Sequence, residues 1–545
     1  MLRAVSAGPD GRLGTWQSLR AVTGSWRLLS VALLSFSSGF PLGLVWIAIP
    51  TWLKQEGVDI KVVGLFTLAQ APWSFKILWS PLMDRFKLPL PGRKRGWILL
   101  AQVALLGLSF GLAAVADSPR DVWTIGALSL AIAFVSATHD IAYDGYTVEV
   151  LRREEHGIAV GARAALYRAA MLVSGGVSIT LASSFVVPLG GIRLQWQGSW
   201  PLVHGLMALC YLPLMAVTWF APEPEGDAQP PRSLREAVWG PFVGFLAQHR
   251  ALDILAFVVL YKLSDQLTQA LTRPFLVEMG FGAFDVGVAT ATIGQAAAVG
   301  GTFAGALLAQ RLGLGRALWL FGFLQIASNL GYAAVAEVGA NRPLMYAAQG
   351  FEHLASGMGS GAFGVLLLRL TQKRFSSTQF ALLSSLFTIP RVLAGPPAGV
   401  LADALGWRDF FILTVVTGIP GLVMLARFVP WGVREPEFQV AAPARGKPVS
   451  LPELLSRAAA GAALAALLGL LTLCALGALR DYRAGQGFEP AIQCRELLSP
   501  ASLADWLALV GLGVAALLVG LGTAATIAAR RGVGVRPGIQ EAGSS

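Results

Sequence analysis

Apolar runs of about 20 residues recur along this chain, and no other feature narrows its fold as much. "AQVALLGLSFGLAAV" (101–115) and "LLGLLTLCALGAL" (467–479) are typical. In a bilayer such a run is helical, because a helix satisfies every backbone N–H and C=O from within. The runs are continuous rather than alternating, which argues against an outer-membrane barrel. Only 13% of the 545 residues are charged, against about 25% in a soluble domain.

Fourteen spans are expected, near 28–50, 62–83, 97–116, 122–147, 160–186, 200–220, 251–278, 285–309, 315–336, 342–368, 376–402, 409–430, 457–479 and 503–529. They group as an N-terminal segment (1–27), a six-helix half (28–220), a linker (221–250), a second six-helix half (251–430), a second linker (431–456), two extra spans (457–529) and a tail (530–545). The linker stretch "RSLREAVWGPFVGFLAQHR" mixes apolar and basic residues and is expected to form an amphipathic helix on the inner leaflet. The N-terminus shows no signal-peptide cleavage pattern, so the first span is expected to serve as the insertion signal.

The net charge of +11 is a topology signal. With the N-terminus inside, the inner loops of the first twelve spans hold 15 Lys and Arg and the outer loops hold 6. That bias places both termini in the cytoplasm, and nucleic acid is not an expected partner. Cys210, Cys474 and Cys494 show no metal or redox spacing and no disulfide framework. Cys210 and Cys474 sit in apolar runs as small core residues.

The two six-span halves repeat. "LKQEGVDIKVVG" (53–64) and "LVEMGFGAFDVG" (276–287) share Leu, Gly, Val and Gly at an offset of 223 residues, and Arg168 and Arg391 keep the same offset. "SPLMDRFKLPLPGRKRG" between spans two and three resembles the loop motif of major-facilitator transporters, and "AGALLAQRLGLGR" between spans eight and nine is its weaker echo, with Gln310 in place of Asp84. The expected fold is therefore an all-α polytopic membrane protein of the major-facilitator plan, with two six-helix halves rocking about a central path and two additional C-terminal helices. Asp84, Arg85, Arg93 and Arg95 are candidate gating residues, since charge pairs at such a loop can break and re-form as the halves rock. The plainer reading is a positive-inside loop.

Longer stretches narrow the resemblance. "SGFPLGL", "FKILWSPLMDRF", "GRKRGW", "SATHDIAYDGYTVEVL", "YRAAMLVSGG", "LYKLSDQL", "GMGSGAFGVLLLRL", "FSSTQFALLSSLFTIPRVLAGPPAG" and "GWRDFFILT" run in order between residues 38 and 430. The chain resembles the AmpG family of anhydromuropeptide permeases, related to acetyl-CoA transporters, in which two extra C-terminal spans also occur. His139 departs from the Gln expected there, and the tail from 431 matches only in hydrophobicity. The resemblance implies proton-driven import of cell-wall breakdown products, disaccharides of N-acetylglucosamine and anhydro-N-acetylmuramic acid bearing peptides, across the bacterial inner membrane. It also implies a part in peptidoglycan recycling and, indirectly, in β-lactamase induction. No cofactor and no metal are expected; protons, membrane lipid and the muropeptide are the expected partners of a monomer. A siderophore or an acyl-CoA is the alternative cargo.

Candidate residues for that work are the ionisable groups inside spans, which are costly there unless paired or facing water. Asp140 and Asp144 stack on one face of span four, four residues apart. Two close carboxylates repel, so one holds its proton more readily, and both are candidates for proton coupling. The structural alternative pairs Asp144 with Arg152 or Arg163. His139 lies about 100° around the helix from Asp140 and is a weaker candidate for substrate. Tyr261, Lys262 and Asp265 in span seven, with Glu352 in span ten, form a second group: Asp265 and Glu352 for protons, Lys262 and Tyr261 for substrate. A fixed ion pair is the alternative. Arg168 and Arg391 can clamp carboxylates, or pair with Asp140 or Glu352. Lys76 is a further substrate candidate, or snorkels to the inner surface. Trp46 and Trp73 offer aromatic faces to sugar, although most tryptophans here read as belt residues. Gly39, Pro41 and Gly43 loosen span one as a gate or form a passive kink. No G-x-S-x-G, Walker A or H-E-x-x-H pattern suggests an enzyme, and no sensor domain suggests a receptor.

Overall fold

A computed structural model describes residues 24–59, 66, 69, 71–116, 121–189, 192–224, 230–436, 438, 450–483, 485 and 487–531. Among them, ten helices are long and apolar enough to cross a membrane, and they match expected spans one, three to six, eight, nine and twelve to fourteen. The other four of the fourteen differ for identifiable reasons. The first residues of span two lie outside the described residues; its remainder is two short helices, Ala71–Phe75 and Ser80–Arg85, joined by a tight turn at Lys76–Leu78. Span seven is broken into Ala251–Leu260 and Leu263–Glu278, with Tyr261 and Lys262 at the break. Spans ten and eleven are long and apolar enough to cross a membrane only together, Arg342–Leu370 with Lys373–Phe387, bent by 99°. One element departs from an all-α chain. Span five ends at Ala182, and a hairpin follows in which Phe185–Leu189 pairs antiparallel with Ile192–Trp196. Strand-favouring Val186 and Val187 follow the helix end there.

The chain forms two compact units. The first comprises 1–234, 295–321 and 353–385, the second 235–294, 322–352 and 386–545. The core of the first is built from Phe40, Trp52, Leu105, Ile125, Ile132 and Tyr211 of spans one, three, four and six. Trp52 is fully buried and packs in this core. Gly39 and Gly43, four apart on span one, face span five so closely that a Cβ at either would collide with the carbonyl of Tyr167 or Met171. Small residues at that spacing let two helices touch backbone to backbone, so the "SGFPLG" glycines serve packing. The second unit is centred on Phe275, Tyr332, Trp407, Phe410 and Phe411, with Tyr332 and Phe411 stacked 5.2 Å apart.

The internal repeat is visible in the backbone. Gly57 and Gly280 both adopt positive φ, 81° and 85°, which an L side chain resists. At the first, Gly57 N donates to Lys54 O and Val58 N to Leu53 O; at the second, Gly280 N donates to Val277 O and Phe281 N to Leu276 O. The same helix-ending turn thus closes span one and span seven.

The linker forms the expected helix, Leu234–Leu246. The two extra spans are Leu451–Arg483 and Leu503–Arg530, packed on one another through close approaches at Gly461 and Gly520. Between them the short helix Pro490–Leu498 folds back, and Cys494 forms a disulfide with Cys474, with Cα atoms 5.0 Å apart. This corrects the expectation of no disulfide. A separation of 20 residues across an apolar run shows no pattern in sequence; only the fold-back brings the two sulfurs together.

Candidate functional site

In the first unit, span four is one helix, Val122–Val150, started by Asp121, whose side chain accepts from Thr124 N. Its unbroken geometry carries Asp140 and Asp144 on one face but gives them different partners. Ser38 Oγ donates to Asp140 Oδ1 at 2.6 Å. Arg163 Nη2 donates to Asp144 Oδ1 at 2.6 Å, and Lys76 Nζ lies 3.6 Å from Asp144 Oδ2. Asp144 is therefore held by two cations, one of them the Arg163 of the structural alternative. Lys76 is buried in this cluster rather than snorkelling to the surface, and it opens the tight turn at 76–78 within span two. The Arg163 guanidinium also lies over the rings of Tyr143, at 4.7 Å, and Phe380, at 5.9 Å.

His139 turns away from this group. It is fully buried, with Nε2 3.1 Å from Ser37 Oγ. Gln102 Nε2 donates to the same Ser37 oxygen, and Thr218 Oγ1 donates to Gln102 Oε1. A polar thread thus ties spans one, three, four and six, and His139 is part of the packing there, although its Nδ1 is 3.9 Å from Asp140 Oδ1. Arg168 donates to Gln295 Oε1. Arg391 lies in the helix Ser376–Leu405, and its side chain is outside the described residues. Trp46 and Trp73 pack edge to face, 6.0 Å apart, against the apolar core.

In the second unit, the break in span seven places Lys262 inside the protein, 1% exposed. Its Nζ donates to Asp265 Oδ2 at 2.8 Å and to Gln325 Oε1 at 2.9 Å. Gln325 Nε2 donates in turn to the carbonyl of Tyr261 at 2.9 Å, so span nine uses the backbone group at the break. Tyr261 itself is buried, its ring 4.7 Å from that of Phe257. Glu352 is fully buried and accepts from Gln269 Nε2 at 3.0 Å. Lys262 and Asp265 are brought together as expected, while Glu352 meets span seven through the amide of Gln269.

The loop between spans two and three forms a third cluster. Asp84 is fully buried. It accepts from Lys94 Nζ at 2.5 Å, from the backbone N–H groups of Ser377 and Thr378 at 3.1 and 2.9 Å, and from Thr378 Oγ1 at 2.7 Å. An aspartate near the end of the short helix Ser80–Arg85 thus caps the start of the helix Ser376–Leu405, where the helix dipole favours an anion. Lys94 Nζ also donates to Ser377 Oγ at 2.7 Å. Glu149 bridges the same place, accepting from Ser376 Oγ at 2.6 Å and pairing with Arg93. Arg95 ties to Glu223 and to the carbonyls of Trp219 and Ala221 at the end of span six. Arg85 is the exception among the four gating candidates: it lies over the neighbouring Phe86 ring and has no ion pair among the described residues. The loop turns at Gly92, φ 76°, and it is Lys94, just inside the next helix, that reaches Asp84. At the echo of this loop, Gln310 donates to the carbonyl of Glu154, and Gly157 meets Ala306.

Lys94 is visible in the sequence only as one of a basic cluster. Glu149 is signalled by a lone carboxylate in "TVEVL", and Ser376 to Thr378 by hydroxyl residues opening an apolar run, a helix-start pattern. Gln325 and Gln269 carry no signal, being neutral amides whose role depends on facing Lys262 and Glu352.

Comparison with known proteins bears on the fold and the family. The family model "Major Facilitator Superfamily" matches residues 31–341. The anhydromuropeptide permease of Escherichia coli (strain K12) is 41% identical over 394 residues, covering 72% of this chain and 78% of that protein. Among solved structures, the proton:xylose symporter XylE superposes with a TM-score of 0.55 at 11% identity, over 74% of this chain and 96% of the other. The E. coli fucose:proton symporter FucP gives 0.56 at 14% identity, over 73% and 98%. At those identities the structures show the fold alone. The chain belongs to the major facilitator superfamily and, within it, to the AmpG family of anhydromuropeptide permeases: it is a multi-pass membrane transporter and not an enzyme.

Proposed function

We propose that this protein imports anhydromuropeptides, GlcNAc-1,6-anhydroMurNAc and its peptides, across the inner membrane by alternating access driven by the proton gradient. Both termini lie in the cytoplasm, and the protein works as a monomer without a cofactor. The similarity to the E. coli permease across most of both chains carries the substrate class. The buried ion clusters support the coupling. A substrate bearing carboxylates needs cations inside the membrane, and Arg163, Lys76 and Lys262 are such cations, each now engaged by a carboxylate of the protein. Protonation of Asp144 weakens its hold on Arg163 and Lys76 and frees them for a substrate carboxylate. Loss of that proton on the other side restores the pair and expels the substrate. Asp265 stands in the same relation to Lys262, with Glu352 as a further proton carrier. The Asp84 cap on the helix Ser376–Leu405, with Lys94 and Glu149, ties the basic-loop end shut in one state of the cycle. Products delivered this way feed peptidoglycan recycling and, through the imported ligand, β-lactamase induction.

The test is uptake of labelled GlcNAc-anhydroMurNAc-tripeptide into oriented proteoliposomes, with the outer face at acid pH. Uptake that requires the gradient is the expected result. Folded protein that ignores the muropeptide but takes up a siderophore or an acyl-CoA overturns the substrate.

A further inference from the structure

A cavity of about 570 Å³ opens in the second unit where the linker helix meets span seven. Its wall is formed by residues 246–253 together with Arg427 at the end of span twelve and Thr526, Ala529 and Arg530 at the end of the last span. Three arginines from three elements therefore line one space, against the single carboxylate of Asp253. Arg250 adopts φ 57°, the one positive value among the described non-glycine residues. That conformation is uncommon for a side-chain-bearing residue, and it turns the chain so that Gln248, His249 and Arg250 border the start of the helix Ala251–Leu260. The Arg250 side chain does not cap that helix start, whose N–H groups add positive potential to the cavity.

The arginines are only partly used by the protein. Arg250 Nη1 donates to the carbonyl of Arg427, a neutral group. Arg427 Nε lies 3.2 Å from Asp253 Oδ1, which leaves its terminal nitrogens. Arg530 has no acidic partner among the described residues and is exposed. A positive-inside bias or a match to helix dipoles accounts for arginines at the ends of spans twelve and fourteen. The same bias covers Arg250, the last residue of the linker, but Arg250 also stands at a helix start, where the dipole is unfavourable to a cation. An anion in the cavity resolves that conflict. Its place is the membrane surface, since Arg427 and Arg530 close the last turns of two apolar spans. Leu246 and Leu252 add apolar wall beside the charges.

We propose that this cavity binds the phosphate of an anionic phospholipid headgroup, with Arg250, Arg427 and Arg530 around it. Basic pockets between helices at a membrane surface bind such headgroups, and guanidinium groups match phosphate geometry in two-point hydrogen bonds. Because one wall comes from the last span, the lipid joins the extra C-terminal hairpin to spans seven and twelve, which gives that hairpin a task.

The experiment uses the full-length protein, purified in detergent and stripped of lipid. Retention of added lipid is followed by native mass spectrometry, and the melting temperature is read in parallel. Phosphatidylglycerol is expected to bind and raise the melting temperature, while phosphatidylethanolamine does so weakly. Arg530→Gln, on an exposed helix end, is expected to weaken phosphatidylglycerol binding roughly five-fold, and Arg250→Gln with Arg530→Gln about 25-fold. Arg495→Gln, outside the cavity, leaves it unchanged. Equal binding of the two lipids, or full binding by Arg530→Gln, overturns the proposal. Protection by inorganic phosphate with none from phosphatidylglycerol overturns the lipid as its source.

Discussion

On span four an aspartate is surrounded by cations, whereas at the break of span seven a lysine is surrounded by acceptors. Asp144 faces Arg163 and Lys76; Lys262 faces Asp265 and the amide of Gln325. Both clusters are buried in a chain that belongs to a membrane-transporter family, where an uncompensated charge is expensive. The difference lies in what a proton does to each. Neutralising Asp144 removes the carboxylate that both cations contact. Neutralising Asp265 leaves Lys262 with a neutral amide still in place, a smaller imbalance. The first cluster thus gathers two cations on one carboxylate, and the second shares one cation between a carboxylate and an amide.

The comparison is broken most severely at Asp144. Asp144→Ala is expected to lower stability by about 3–5 kcal/mol, because removing one partner strands buried charge. Melting in detergent measures it, and adding Lys76→Met should recover part of the loss without restoring uptake. Stability unchanged in the single variant contradicts the ion cluster.

Next in size is Lys262. Lys262→Met alone should cost about 3 kcal/mol by removing the buried cation 2.8 Å from Asp265, whereas Lys262→Met with Asp265→Leu should cost less than the single variant. If the pair is only structural, the double variant transports normally; loss of uptake with intact melting assigns it to transport.

Glu352→Gln should change stability by no more than about 1 kcal/mol, since the amide can still accept from Gln269. Uptake by this variant should no longer respond to an imposed proton gradient, as measured in proteoliposomes. A full response removes Glu352 from the coupling.

The smallest effect is expected at Gln310, where the repeated loop has an amide in place of the aspartate. Gln310→Ala should lose about 1 kcal/mol or less, the worth of one exposed hydrogen bond. Its counterpart Asp84→Ala strands the buried Lys94 and uncaps a helix, and should be several-fold more damaging. Equal effects would mean that the repeat distributes its closure evenly.

Much of this architecture is legible in the amino acids alone. Long apolar runs demand helices in a bilayer, the offset of 223 residues marks a duplication that the turns at Gly57 and Gly280 bear out in the backbone, and the ordered motifs point to the family. Ionisable residues inside apolar runs stand out by cost alone, which is enough to name Asp140, Asp144, Lys262, Asp265 and Glu352. It names only some of their partners. Arg163 for Asp144 and Asp265 for Lys262 are among the alternatives, but Lys76 at Asp144, neutral Gln325 at Lys262 and Lys94 at Asp84 are not. Those choices turn on where a helix breaks and which face a turn presents. The Cys474–Cys494 link and the arginine cavity likewise depend on elements far apart in the chain. Sequence by itself determined which groups must be buried and which stretches must be helical, because solvation and backbone hydrogen bonding act locally. Tertiary structure alone decided who meets whom, because a contact at a few ångströms is set by how the helices pack.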